Sequence, residues 1–166
     1  MIPLHFRDAS ESDLNKIVEI YNSTIPSRMV TADTDFVSVE SKKKWFFDHN
    51  PKKRPLWIVE NKDKNVLAWV SFQSFYGRPA YDATVEISIY IDSNYRGQGL
   101  GTQILEYALQ KAPEYGFKTV LGFIFAHNEP SLKLFYHFGF EDWGNLPKVA
   151  QLDGREIDLK IVGKRI

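Results

Sequence analysis

Glu86-Ile-Ser-Ile-Tyr-Ile-Asp-Ser-Asn-Tyr-Arg-Gly-Gln-Gly-Leu-Gly101 runs a strand pattern through a glycine-rich turn into a helix pattern. Apolar residues alternate with polar ones from Val85 to Asp92. Gly97, Gly99 and Gly101 then fall at every second position, where an amphipathic run begins with Leu100. Glycine lets a backbone come close to a ligand, and the N–H groups at a helix N-terminus attract anions. The stretch reads as a built anion site with a pyrophosphate as its natural guest.

Spacing separates the common phosphate loops. A P-loop requires Lys-Ser or Lys-Thr after its last glycine, and Gly101 is followed by Thr102-Gln103. A dinucleotide loop framed on Gly97 requires glycine at 102 and an acidic residue near the end of the next strand. Thr102 and the run from Thr119 to His127 supply neither. The motif left, Arg-x-x-Gly-x-Gly from Arg96 to Gly101, resembles the acyl-coenzyme A loop of the GCN5-related N-acetyltransferase superfamily. Asn128-Glu-Pro-Ser131, ending in Gly139-Phe140, resembles the second signature of that superfamily, in the right order and spacing. Asn128 also reads as a helix N-cap with Pro130 in the first turn, a role compatible with the first.

The composition fits one enzyme-sized domain spanning residues 1–166, with 43% hydrophobic residues to build a core. Lysine plus arginine balances aspartate plus glutamate at 21 each, so no global field draws nucleic acid or an anionic membrane. The basic runs Lys42-Lys43-Lys44 and Lys52-Lys53-Arg54 read as a solvated helix face and a loop, the alternative being a contact to the outer phosphate of the ligand. With no cysteine there is no thiol nucleophile, and His5, His49, His127 and His137 lack ligand spacing, so no metal is expected. The first residues lack a signal pattern and no apolar run reaches the roughly 20 residues of a membrane span, so a cytoplasmic protein is expected.

Further elements follow from periodicity. Leu4 to Arg7 reads as a strand, and Ser10 to Asp13 as the start of a helix burying Leu14, Ile17, Val18 and Tyr21 and ending near Thr24. The polar connection from Pro26 to Val37 is long enough to be a binding loop. A second helix reaches about Asp48, with Trp45 and Phe46 as core contacts. Leu56–Glu60 and Val66–Phe72 form a hairpin, and Thr84 to Asp92 is the strand feeding the loop. A helix from Leu100 to about Ala112, a buried strand from Thr119 to Phe125 and a short helix from Pro130 to Phe138 follow. A hairpin from Gln151 to Val162 turns at Asp153-Gly154. This order matches what the resemblance implies: an α+β fold in α/β/α layers, with a mixed, mostly antiparallel sheet of about seven strands and about four helices.

Alternation places Val85, Ile87, Ile89 and Ile91 on one strand face and Glu86, Ser88, Tyr90 and Asp92 on the other. A polar row inside a covered sheet must line a cavity or find partners; on an uncovered sheet Glu86 simply faces solvent. In amine acetylation the acceptor ammonium must lose a proton before it attacks a thioester. A partly desolvated Glu86 can take that proton directly or through water. No activated Ser or Cys is evident, so no covalent enzyme intermediate is expected.

The resemblance implies acetyl-coenzyme A as cosubstrate. Ile89, Tyr90 and Ile91 would hold the pantetheine arm and thioester, and Arg96, Gly97, Gln98, Gly99, Leu100, Gly101, Thr102, Asn128 and Ser131 the rest of the coenzyme. Many superfamily members carry a general-acid tyrosine where this chain has Phe135. Tyr136, one residue later, points elsewhere on a helix and reads as packing or an exposed hydroxyl. Ile20-Tyr21-Asn22, Arg78-Pro-Ala-Tyr81, Thr84-Val-Glu86 and Ser88-Ile-Tyr90-Ile91 resemble the phosphinothricin and methionine-sulfoximine N-acetyltransferase subgroup.

The subgroup implies a small amino-acid-like acceptor, Glu86 as general base and a homodimer. Tyr76, Gly77, Arg78, Tyr81, Glu86 and Ser88 would contact the acceptor. Arg78 would bind a carboxylate or phosphinate, or it is an exposed loop arginine; Tyr76 and Tyr81 would close the pocket, or pack with Phe75 as core or interface. The subgroup's C-terminal Trp-Asp pair is absent, with Arg155-Glu-Ile-Asp158 in its place. Two other readings remain open: the same donor with a polyamine, antibiotic or protein N-terminus as acceptor, and a coenzyme sensor without turnover.

Overall fold

The computed structural model describes residues 1–166. Seven strands form one sheet: β1 His5–Asp8, β2 Leu56–Glu60, β3 Val66–Ser74, β4 Thr84–Ile91, β5 Thr119–Phe125, β6 Glu141–Leu152 and β7 Arg155–Arg165. Their spatial order is β1-β2-β3-β4-β5-β7-β6, antiparallel except between β4 and β5. The helices are α1 Leu14–Thr24, α2 Val39–Phe47, α3 Leu100–Lys111 and α4 Glu129–His137.

Both sheet faces are covered, which explains why all five residues of β2 are buried. Trp57 and Val59 pack on the side of α3 and α4 with Ile104, Leu105 and Phe135. Leu56 and Ile58 pack on the side of α1 and α2 with Leu14, Ile17 and Phe46. This is the mixed, mostly antiparallel acyl-CoA N-acyltransferase fold in three layers.

The parallel pair is short. β4 and β5 are in register only from Thr84 opposite Thr119 to Glu86 opposite Leu121. Beyond Glu86 the strands diverge, and the edge of Ile87 to Ile91 that faces β5 has no ladder partner. Unpaired backbone groups inside a sheet need other hydrogen-bond partners, and a bound chain of amide groups can supply them.

One strand departs from the sequence reading. The final hairpin does not begin at Gln151; β6 starts at Glu141 and pairs with β7 along most of its length. Pro147 and two register shifts, at Asp142/Gly144 and Leu146/Ala150, break the alternation there. The strand lies on the sheet edge with most of its residues exposed, so no apolar face marked it.

Candidate active site

Two cavities meet at the middle of β4. The first, of about 260 Å³, lies between the sheet and the first helical layer. It is lined by Ile17, Val18 and Tyr21 of α1, Lys42 and Trp45 of α2, Trp69 and Gln73 of β3, and Glu86, Ser88 and Tyr90 of β4. The second, of about 140 Å³, is the cleft opened by the divergence of β4 and β5. Its walls include Ile87 to Ile91, Gly101, Gly122 to Phe125, Asn128, Ser131 and Phe135. Ser88 and Tyr90 line both cavities.

Cross-strand register assembles the floor of the first cavity. Gln73 stands opposite Glu86, Ser71 opposite Ser88 and Trp69 opposite Tyr90. Trp69 stacks on Tyr90 at 4.5 Å between ring centroids and donates its Nε1–H to the Ile17 carbonyl at 3.1 Å. Tyr21 also packs on Tyr90, tilted at 5.0 Å between ring centroids. The aromatic packing fixes Tyr90, and burial raises its phenol to about 12. The Tyr21 hydroxyl bonds Thr31 and Asp33, tying the linker after α1 to the cavity wall.

Glu86 is partly buried on this floor, with no ion pair and no side-chain hydrogen bond. Desolvation alone raises its carboxyl above the ordinary value of 4.5. A carboxylate so placed is a proton acceptor of increased basicity, within the cavity that shares Ser88 and Tyr90 with the cleft.

The cleft ends at the glycine turn. Gly99 caps α3 at φ +74°, a left-handed conformation that costs other residues about 1–2 kcal/mol, and Gly97 has the same φ. A Cβ at either would meet nothing within 4 Å, so the backbone is open to a ligand. Arg96, Gln98 and Thr102 are exposed around the turn, whereas the Leu100 side chain is 2% exposed in the core and can offer only its backbone N–H. An open N-terminal turn and an unpaired strand edge fit a diphosphate joined to an amide-bearing arm.

At the far wall, Asn128 caps α4, its Oδ1 accepting from the Ser131 N–H at 3.3 Å. Its Nδ2 donates to the Met29 carbonyl at 3.0 Å, and His127 Nε2 bonds the Arg28 carbonyl at 2.9 Å. Met29 and Val30 thereby become part of the cleft wall. Both polar atoms of Asn128 bond within the protein, which gives the residue a positional role in fixing Met29 against the cleft wall.

Phe135 is buried along the cleft, and Tyr136 turns away with its hydroxyl donating to Asp142. The loop from Phe75 to Ala83 sends Tyr76 to 77% and Tyr81 to 43% exposure, packed mainly on each other and on Phe75. Gly77 and Arg78 are likewise exposed, and none of these four lines the first cavity. The structure therefore brings Glu86, Ser88 and Tyr90 together and leaves Tyr76, Gly77, Arg78 and Tyr81 outside. It adds Lys42, Trp45 and Gln73, which the sequence reading placed elsewhere or left unassigned. Trp45 is half-buried, packing on the core through Trp69 as expected and also lining the cavity, and Lys42 departs from the solvated face. Only alternation along β3, combined with its register to β4, could have pointed to Gln73. No group of three or more metal-ligating side chains occurs.

Residues 15–140 match the acetyltransferase (GNAT) family, and the chain belongs to that family, whose members transfer an acetyl group from acetyl-coenzyme A. YwnH of Bacillus subtilis, provisionally described as a phosphinothricin acetyltransferase, is 51% identical over 160 residues, covering 96% of this chain and 98% of its own. An L-methionine sulfoximine/L-methionine sulfone acetyltransferase of Pseudomonas aeruginosa is 29% identical over 153 residues, covering 92% and 89%. A crystal structure provisionally described as a phosphinothricin N-acetyltransferase superposes with a TM-score of 0.96 at 51% identity, covering 98% of each chain. Within the family the chain matches the phosphinothricin and methionine-sulfoximine acetyltransferase-like subgroup closely. No helix is long and apolar enough to cross a membrane.

Proposed function

We propose that the chain acetylates the primary amine of a small amino-acid-like acceptor of the phosphinothricin, methionine sulfoximine or methionine sulfone type. The observation that carries this reading is the pair of cavities sharing Ser88 and Tyr90, with Glu86 on the floor of the first. The first cavity takes the acceptor and the cleft takes the coenzyme, so the reacting atoms meet at β4. Bound acetyl-coenzyme A supplies the acetyl group as an activated thioester.

Glu86 takes the proton that the acceptor ammonium must lose, directly or through water. Its desolvated carboxylate is more basic than an exposed one, which improves the driving force for that transfer. The backbone N–H groups along the free edge of Ile89 to Ile91 orient the acyl carbonyl and stabilise charge on its oxygen. The turn from Arg96 to Thr102 anchors the phosphates, with Asn128 and Ser131 shaping the opposite wall. Proton return to the leaving thiolate does not pass through Tyr136, whose hydroxyl is engaged by Asp142 at the surface. The names of the two relatives support the acceptor class.

The reading includes a cytoplasmic homodimer. Trp143, Leu146 and Val149 leave apolar surface on the edge strand β6, and sedimentation of the purified protein as a monomer would remove this part. The catalytic part is tested by thiol release from acetyl-coenzyme A with phosphinothricin, methionine sulfoximine, methionine sulfone, spermidine and several free amino acids. Acceptor-dependent release with the first three supports it. Release with spermidine alone, or coenzyme binding without release on any acceptor, contradicts it.

A further inference from the structure

The three consecutive lysines of α2 have different environments. Lys43 pairs with Glu40 at 2.8 Å and Lys44 with Asp48 at 2.9 Å. Lys42 makes neither an ion pair nor a side-chain hydrogen bond. It is half-buried at the first cavity, its Nζ 4.6 Å from the Tyr21 ring centroid and 6.0 Å from that of Trp45. Its position follows from helical spacing, since Val39, Lys42 and the buried Phe46 share the inward stripe of α2. Aromatic faces replace only part of the hydration that an inward-facing ammonium loses, so Lys42 retains capacity for an anion.

Lys42 and Glu86 are the only charged side chains lining this cavity, and they do not pair with each other. Asp33, the neighbouring acid, accepts instead from the Tyr21 hydroxyl. A small cavity that presents one unpaired cation and one unpaired carboxylate is complementary to a zwitterion. Such a ligand brings its ammonium to the carboxylate and its acid group to the cation.

We infer that Lys42 determines acceptor specificity by receiving the acidic group of a zwitterionic α-amino acid while Glu86 faces its ammonium. This rests on the acceptor reading above, and it transfers to α2 the anion-binding role that the sequence suggested for the exposed Arg78. Amines without a nearby acid group are then poor acceptors because they leave Lys42 without a partner.

The test is steady-state kinetics of the full chain with L-methionine sulfone and with its carboxamide, which keeps the amine and removes the acid. Wild type, Lys42→Met, Lys42→Arg, Lys44→Met and Arg78→Gln are compared, with thermal melts and acetyl-coenzyme A binding to show that each is folded. Lys42→Met is expected to raise KM for the acid roughly 10- to 100-fold, the equivalent of one charge-assisted hydrogen bond. Its kcat/KM for the carboxamide should stay within about twofold of wild type. Lys42→Arg should restore preference for the acid, and Lys44→Met should match wild type. Equal loss on both acceptors in Lys42→Met, no loss on either, or an acid-selective loss in Arg78→Gln instead overturns the inference. If wild type binds the coenzyme and acetylates neither acceptor, the acceptor reading itself falls and this inference with it, an outcome distinct from any failure confined to a variant.

Discussion

Replacing Asn128 by alanine should loosen both the fold and the coenzyme cleft, by an amount that follows from two hydrogen bonds. Asn128 is 7% exposed. Its Oδ1 caps α4 through the Ser131 N–H, and its Nδ2 holds the Met29 carbonyl. Loss of an N-cap costs about 1 kcal/mol. A part-buried carbonyl left without its donor costs about 1–3 kcal/mol more. The sum, about 2–4 kcal/mol, lowers the melting temperature by about 5–15 °C in a chain of this size. Asn128→Asp keeps the cap acceptor beside the positive end of α4 and removes only the donor, so it should lie between wild type and Asn128→Ala. Urea unfolding measures the stability, and calorimetric titration with acetyl-coenzyme A measures the cleft. Affinity should fall in both variants as Met29 and Val30 detach from the wall. Stability of Asn128→Ala within about 0.5 kcal/mol of wild type, with affinity nonetheless lost, would refute the positional role and make Asn128 a direct coenzyme ligand.

Other consequences are equally measurable. Burial raises the Glu86 carboxyl above its ordinary 4.5, so the folded chain holds that proton more tightly than the unfolded one. The associated stability is complete below 4.5 and is lost as pH rises through the folded value. Glu86→Gln should therefore melt above wild type at about pH 8 and near it at about pH 4; a constant difference across that range counts against a desolvated carboxyl. Tyr136→Phe should leave kcat within about twofold of wild type, since its hydroxyl bonds Asp142 at the surface, and a larger kcat loss in thiol-release assays would return it to the reaction. Gly101→Val should weaken acetyl-coenzyme A binding about tenfold in calorimetry, because a Cβ there already comes within 3.1 Å of Leu134 and 3.8 Å of Ile91 at the cleft; unchanged affinity would mean that the cleft wall yields freely.

The layered sheet was legible because both faces of its central strands are covered. The continuous apolar runs of Leu56 to Val59 and Val120 to Phe125, and the apolar stripes of α1 and α3, leave few alternatives. The polar row Glu86, Ser88 and Tyr90 was legible for the same reason, since alternation sets it opposite the core-packed Val85 and Ile87. What surrounds that row was not. Gln73 reaches Glu86 through a register fixed across the long connection from Phe75 to Ala83, whose length sequence periodicity cannot convert into a pairing. Lys42 differs from Lys43 and Lys44 only by its angle on α2, and a helix so rich in charge gives little indication of which side is inward. Arg78 was open to two readings by residue type, and only the packing of its loop on Phe75, Tyr76 and Tyr81 shows that it is exposed and outside the first cavity. The exposed strand β6 carries no buried face to read.

The most direct test of Glu86 as the base on the floor of the first cavity is the pH dependence of kcat/KM for L-methionine sulfone, in wild type and Glu86→Gln, with acetyl-coenzyme A affinity measured alongside. Wild type should lose activity as pH falls through a carboxyl value above 4.5, because the base must be ionised to accept the ammonium proton. Glu86→Gln should bind the coenzyme as wild type does, with transfer reduced by about 10²- to 10⁴-fold and that acid limb gone. Undiminished transfer in Glu86→Gln, or the same acid limb in both proteins, would contradict the assignment.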